Sequence, residues 1–178
     1  MNLRSLLPLS LSLLLSFPLS LLSAEHTLWI GTGGGPAKGI YRATFDSDAG
    51  KLSEPVLAAE IDKPGFVTLN ADKTRLYCVS GDEGGSVAAF SISPDGTLAL
   101  LNKQPIGDGG AAHLTLDRAE KLLFTAQYSG GSVAVFPLND DGSIAPRSAL
   151  VEHSGTGPNA SRQEAPHPHW VGTSPDNR

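Results

Sequence analysis

Residues 153–170, HSGTGPNASRQEAPHPHW, bring together side chains suited to proton transfer and to binding anions. The stretch holds three histidines together with Arg162 and Glu164. A neutral imidazole can take a proton near pH 7, a guanidinium can hold a carboxylate, a phosphate or a developing oxyanion, and a carboxylate can orient either group. A concave surface ringed by such groups is the usual place for a small-molecule site.

The three prolines of this stretch, at positions 158, 166 and 168, exclude a helix through it. Its polar residues also lack the alternation expected of a strand. The stretch is therefore predicted to be a shaped loop, and its chemistry depends on the elements that hold it in place.

A repeat of 46–47 residues predicts those elements. The segment from Phe66, FVTLNADKTRLYCVSGDEGGSVAAFSISPDGTLALLNKQ, can be laid over the segment from His113, HLTLDRAEKLLFTAQYSGGSVAVFPLNDDGSIAPRSALV. Each segment has four short β-like runs separated by turn signals such as NADK and SPDG. This period and composition are typical of the four-stranded antiparallel blades of a β-propeller.

Two further units are incomplete. A unit from His26 supplies three strands, LWIGT, GIYRATF and KLSEPVLAA, and HWVGTSPDNR opens another unit. Propellers close with typically about 4–8 blades. We therefore expect an all-β, incomplete β-propeller of about three blades, either a truncated product or part of a longer chain. Self-association of copies to close the ring is the alternative.

The propeller geometry predicts where the loop lies. Inner strands are expected near 66–69, 113–116 and 169–173, and the loops 80–85, 104–112, 127–131 and 151–168 are expected at one rim. His113 and His169 should then face the mouth of the central channel, with His167, Arg162 and Glu164 beside them.

Each candidate residue also has a purely structural interpretation. His169 could bond a neighbouring backbone carbonyl, and His167 could be exposed between its two prolines. Arg162 and Glu164 could form a solvated pair that contributes little. His153 is expected at the surface.

Composition excludes several classes of function. The net charge is -5 with a pI of about 5.4, and no basic stripe is present, so nucleic acid is not an expected partner. Cys78 is the single cysteine and is expected in the core of a strand. The His-Pro-His spacing matches no common zinc pattern, and GTGGGPAKG lacks the ending of a phosphate loop. No metal and no cofactor are therefore expected.

The first 24 residues have the pattern of a signal peptide. Arg4 supplies a positive charge, an apolar Leu/Ser run follows, and Ala24 ends a small-residue cleavage point. A retained membrane anchor is the alternative. We expect residues 1–24 to be removed and residues 25–178 to be an exported propeller domain, in the periplasm or outside the cell, with no stable membrane association. Its oligomeric state is left open.

Together these residues resemble the seven-bladed propeller lactonases, a family that includes bacterial 6-phosphogluconolactonase. The most specific stretch is residues 153–176, which is similar to the family pattern H-x-G-x-G-P-N, then R-Q-E, then P-H-x-H, then S-P-D. The resemblance implies that His169 lies in the central cleft, that Arg162, Glu164 and His167 belong to the adjoining loop, and that later blades supply further site residues.

The resemblance implies hydrolysis of a sugar lactone, such as 6-phosphogluconolactone, to the free acid. His169 is the expected general base for water attack, and Glu164 is expected to orient a histidine or the arginine. Arg162, His167 and His113 are the expected substrate-binding residues. No G-x-S-x-G nucleophile elbow occurs, so direct attack by water is favoured over a covalent serine route. The alternatives are an exported propeller that binds without catalysis and an inactive truncated lactonase homologue.

Overall fold

The computed structural model describes residues 25–178, which form twelve β-strands. The predicted signal peptide, residues 1–24, lies outside the described residues. The strands are β1 (Glu25–Ile30), β2 (Gly39–Asp46), β3 (Lys51–Leu52), β4 (Val56–Glu60), β5 (Val67–Leu69), β6 (Arg75–Ser80), β7 (Ser86–Ile92), β8 (Leu98–Pro105), β9 (Ala111–Leu116), β10 (Leu122–Gln127), β11 (Ser132–Pro137) and β12 (Ala149–Glu152).

These strands form three antiparallel sheets, which we call blades 1, 2 and 3. Blades 2 and 3 follow chain order, as β5-β6-β7-β8 and β9-β10-β11-β12. In blade 1, β2 pairs with β1 on one side and with both β3 and β4 on the other. The predicted third strand KLSEPVLAA is thus interrupted at residues 53–55, where Pro55 has no N–H to donate. The all-β, blade-by-blade prediction is confirmed.

Blade 2 is buried on both faces because blade 1 packs on one face and blade 3 packs on the other. Its side chains alternate between these two faces. Leu76 and Cys78 of β6 pack with Ile40 of blade 1. Tyr77 and Val79, on the opposite face of β6, belong to the core shared with blade 3. Cys78 is fully buried in its strand, as expected, and burial raises the pKa of its thiol to about 12. The blades therefore hold together through two apolar interfaces.

The predicted inner strands 66–69 and 113–116 correspond to β5 and β9, but the prediction of a strand at 169–173 is wrong. A strand requires a hydrogen-bonded neighbour, and no described residue pairs with this segment along its backbone. Instead, the Val171 N–H donates to the His113 side chain at 3.4 Å.

The turn that follows residues 169–173 nevertheless repeats the turn after each inner strand. Lys73, Glu120 and Asn177 occupy equivalent left-handed positions, with φ of 59°, 54° and 63°. The side chain of Glu120 accepts from the Ala71 N–H of the preceding blade at 2.5 Å, and Asn177 accepts from the Arg118 N–H at 2.9 Å. Residues 169–178 therefore sit against blade 3 as blade 3 sits against blade 2.

Among residues 25–178, no helix has the length and apolar character needed to cross a bilayer.

Candidate functional site

The connecting loops meet at one end of the three blades. The Tyr128 N–H donates to the Gly110 carbonyl at 2.9 Å, which joins the loop after β10 to the loop before β9. The His153 N–H donates to the Gly131 carbonyl at 2.9 Å, which joins the 153–168 loop to the same place. A side chain at Gly85 would meet the Asp108 carbonyl at 3.1 Å, so the loop after β6 adjoins them. The predicted gathering of these loops at one rim is confirmed.

The 153–168 loop, which we call the long loop, is shaped by hydrogen bonds within it. The Gln163 N–H donates to the Asn159 carbonyl at 2.7 Å, and the Gly157 N–H donates to the Gln163 carbonyl at 2.8 Å. The Gln163 side chain accepts from the Asn159 N–H at 3.0 Å. These bonds fold residues 157–163 into a compact turn, which fixes the direction in which Arg162 leaves the chain.

Tyr128 is the centre of the candidate site. The Arg162 guanidinium donates to the Tyr128 hydroxyl at 3.2 Å. The His167 ring stacks on the Tyr128 ring with centroids 4.6 Å apart, and the His169 ring meets its edge at 5.7 Å. With Glu164, which contacts His167, these residues form what we call the Tyr128 cluster.

Both ring nitrogens of His167 face acceptors on the protein. Its Nδ1 donates to the Tyr128 carbonyl at 2.8 Å, and its Nε2 lies 3.3 Å from Glu164 Oε1. The side chain is 20% exposed. His167 thus fastens the long loop to blade 3 through the backbone and the ring of Tyr128.

His169 and His113 differ from His167 in their partners. Within residues 25–178, the ring of His169 makes no hydrogen bond or ion pair, and His169 is exposed. His113 is half-buried between the rings of Phe66, at 4.5 Å, and Trp170, at 5.7 Å. Burial, followed by electrostatic interaction with His169, lowers the pKa of the His113 ring, which favours its neutral form.

The charged side chains of the cluster are exposed. A hydrogen bond from its own backbone, followed by the charges of His167 and Arg162, lowers the pKa of the Glu164 carboxyl and keeps it ionised. Arg162 uses one N–H on Tyr128, and its remaining guanidinium donors make no hydrogen bond within residues 25–178, where Arg162 is exposed. The cluster therefore offers a cation for an anionic group beside an imidazole with free nitrogens.

The structure brings together all five residues proposed from the sequence, and it adds Tyr128, which sequence reasoning missed. His113 lies beside the cluster because its ring contacts Trp170, the residue after His169, with centroids 5.7 Å apart. Tyr128 belongs to a loop that was expected at the rim, but no motif singles it out. Its position directly after β10 was the signal that could have found it, because a residue there must meet the long loop.

No three His, Cys, Asp or Glu side chains converge as ligands for a metal ion anywhere in the described part of the chain. His153 is exposed and contributes its backbone N–H, rather than its ring, to the rim contacts.

Residues 27–178 match the family model described as lactonase, 7-bladed beta-propeller. The chain is 38% identical over 144 residues to the 6-phosphogluconolactonase of Bacillus subtilis (strain 168), which corresponds to 80% of this chain and 41% of that protein. The chain thus spans about two fifths of the length of this curated relative.

Solved structures show the same likeness. A crystal structure of a protein from Bacteroides fragilis NCTC 9343 is 36% identical, with a TM-score of 0.81 over 89% of this chain and 45% of that one. The periplasmic gluconolactonase PpgL of Pseudomonas aeruginosa is 27% identical, with a TM-score of 0.79 over 86% of this chain and 45% of that one. The chain therefore belongs to the family of lactonases built on a seven-bladed β-propeller.

Proposed function

We propose that this chain is the part of a lactonase that carries a histidine base, and that it opens a sugar lactone to the free acid by water attack. Membership of the lactonase family supports the reaction class. The observation that carries the assignment is the contrast between two histidines of the Tyr128 cluster. His167 is held by protein acceptors at both nitrogens, whereas His169 is exposed with both nitrogens unused within residues 25–178.

The proposed chemistry follows from these positions. A lactone is a cyclic ester, so hydrolysis requires a water molecule to attack the carbonyl carbon while negative charge develops on the carbonyl oxygen. His169 takes the proton from that water, a role that a neutral imidazole fills near pH 7. Arg162, with donors left over after its bond to Tyr128, stabilises the developing oxyanion or holds an anionic group of the substrate.

Glu164 and His167 act as positioning residues in this proposal. Their contact of 3.3 Å and the His167 bond to the Tyr128 carbonyl hold the long loop in place. His113, neutral and half-buried, forms the floor of the site next to His169. The chain aligns with about 45% of each of these similar solved structures, so the site described here is the part that these blades contribute.

Export is part of the proposal. The pattern of residues 1–24 supports a cleaved signal peptide and a location in the periplasm or outside the cell. The Pseudomonas aeruginosa relative is named as periplasmic, which is consistent with such a location.

The test is a pH-controlled hydrolysis assay of the full chain on several sugar lactones, with and without a phosphate group, corrected for spontaneous opening. We expect enzyme-dependent hydrolysis of at least one lactone. Arg162→Ala should mainly raise KM if the arginine grips an anionic group, and it should lower kcat if the arginine meets the oxyanion. Binding of lactones without any hydrolysis would contradict the proposal and favour a non-catalytic binding propeller.

A further inference from the structure

A cavity opens at the same rim, next to the Tyr128 cluster and between blades 2 and 3. Its volume is about 310 Å³, and half of the residues that line it are glycines, including Gly81 and Gly110, with Lys63 and Asp82 as its charged residues. The Gly110 carbonyl that accepts the Tyr128 N–H belongs to this wall. The cavity and the Tyr128 cluster therefore share one loop, and the volume is in the range of small-molecule pockets.

Lys63 lies in this wall and has an unusual backbone conformation. Its φ is 41°, in the left-handed region that non-glycine residues rarely occupy. The preceding Asp62 carbonyl accepts from the Gly81 N–H at 3.0 Å and from the Ser80 hydroxyl at 2.9 Å. These two bonds attach the loop between β4 and β5, which contains Lys63, to the end of β6. A strained backbone that is held in this way often marks a functional position.

The Lys63 side chain runs over two glycines that leave room for it. A Cβ at Gly81 would come within 2.8 Å of Lys63 Cβ, and a Cβ at Gly34 would come within 3.1 Å of Lys63 Cγ. Any side chain at these positions would therefore push the lysine aside. Within residues 25–178, the Lys63 ammonium makes no ion pair and no hydrogen bond.

Asp82 does not neutralise this lysine. Its carboxylate is bound by the Lys103 ammonium and accepts the Ser86 hydroxyl at 2.8 Å. The charge of Asp82 is thus already balanced within blade 2, and among residues 25–178 no carboxylate forms an ion pair with the exposed Lys63 ammonium at the edge of the cavity.

We propose that Lys63 binds the acidic substituent of the substrate, a phosphate or a carboxylate remote from the reacting carbonyl, and thereby selects acidic sugar lactones over neutral ones. This inference rests on the proposed lactonase function for its substrate. The loop between β8 and β9, which contributes Gly109 and Gly110 to the cavity wall and accepts the Tyr128 N–H, lies between the cavity and the Tyr128 cluster. Arg162 is then left for the reacting end of the molecule.

The first test compares two lactones that differ only in a phosphate, glucono-lactone and its 6-phosphate, on the full chain. Lys63→Met removes the charge and keeps an unbranched stem over the two glycines. It should lower kcat/KM for the phosphorylated lactone by about tenfold or more, as expected for the loss of a hydrogen bond between charged groups, and leave the neutral lactone unchanged. Gly81→Ala should cause the same selective loss, because its Cβ displaces the lysine stem.

Lys73→Met is the matched control. Lys73 also has a left-handed backbone, with φ of 59°, but it lies in the turn between β5 and β6, away from this cavity. It should change neither substrate. Equal losses on both lactones in Lys63→Met, or no loss on either, would overturn the proposal for Lys63 while leaving the lactonase proposal intact.

The second test does not depend on hydrolysis. Calorimetry with 6-phosphogluconate should give binding to the wild-type chain and to Lys73→Met, and binding at least about tenfold weaker to Lys63→Met. Equal affinity in Lys63→Met, or no binding by the wild-type chain, would overturn the Lys63 site. Selective weakening in a chain that hydrolyses no lactone would support the site and contradict the lactonase proposal alone.

Discussion

His167→Ala tests whether the long loop is fastened to blade 3 through one side chain. The substitution removes the Nδ1 bond to the Tyr128 carbonyl, the stacking on the Tyr128 ring and the contact with Glu164. The backbone bond between His153 and Gly131 remains. We therefore expect the loop to open locally while the blades stay folded.

The size of the effect follows from these contacts. The hydrogen bond contributes about 1 kcal/mol, and the ring pair contributes about 1 kcal/mol beyond its buried area. The exposed Glu164 carboxylate adds little. The sum of about 2 kcal/mol corresponds to a roughly 30-fold increase in the opening equilibrium of the loop.

Hydrogen exchange followed by mass spectrometry measures this opening directly. The hydrogen-bonded amides of residues 157–163 should exchange roughly 30-fold faster in His167→Ala, while the His153 amide and the amides of β6, β7 and β10 should be unchanged. His153→Ala is the control, because its ring lies in the same loop and is exposed. Equal exchange in the two variants would refute the idea that His167 fastens the loop.

Other predictions concern stability and processing. Because the pKa of folded His113 lies below its unfolded value of about 6.5, the unfolded chain binds more protons, so stability should fall as the pH drops below about 6.5. Urea unfolding at pH 7.5 and 5.5 should show a smaller pH effect in His113→Asn than in the wild-type chain, and equal effects would contradict this. Gly130→Ala places a Cβ 1.7 Å from an Asp108 carboxylate oxygen and should lower the free energy of unfolding by about 1–3 kcal/mol. Gly109→Ala is the control, because its Cβ would meet nothing within 4 Å, and it should cause no loss. Equal unfolding midpoints in the two variants would contradict this prediction. Mass spectrometry of the exported protein should find a new N-terminus just after Ala24, and an intact Met1 would count against the signal peptide.

The repeat made much of the fold predictable from the sequence. Inner strands β5 and β9 were found from the alignment of Phe66 with His113, because alternating apolar residues and turn signals depend on local sequence. The segment 169–173 was predicted as a strand by the same rule and is not one. Pairing requires a partner strand, and local sequence cannot show whether one is present.

The candidate site was predictable in its location but not in its contacts. Loop positions followed from the order of strands within a blade, so the meeting of Arg162, His167 and His169 was expected. The central role of Tyr128 and the two acceptors of His167 depend on how the long loop folds back, which is set by tertiary contacts. Lys63 carried no motif, and its backbone conformation and the glycines beneath its stem become visible only in three dimensions.

The most direct test of the central claim, that His169 is the base of a lactonase, is the kcat/KM of His169→Ala on the best sugar lactone. His153→Ala serves as the control for a histidine of the same loop, and unfolding midpoints confirm that both variants are folded. We predict a fall of about 100-fold or more in His169→Ala, the scale for losing a general base, and no change in His153→Ala. An unchanged kcat/KM in a folded His169→Ala would contradict the account and remove this histidine from the mechanism.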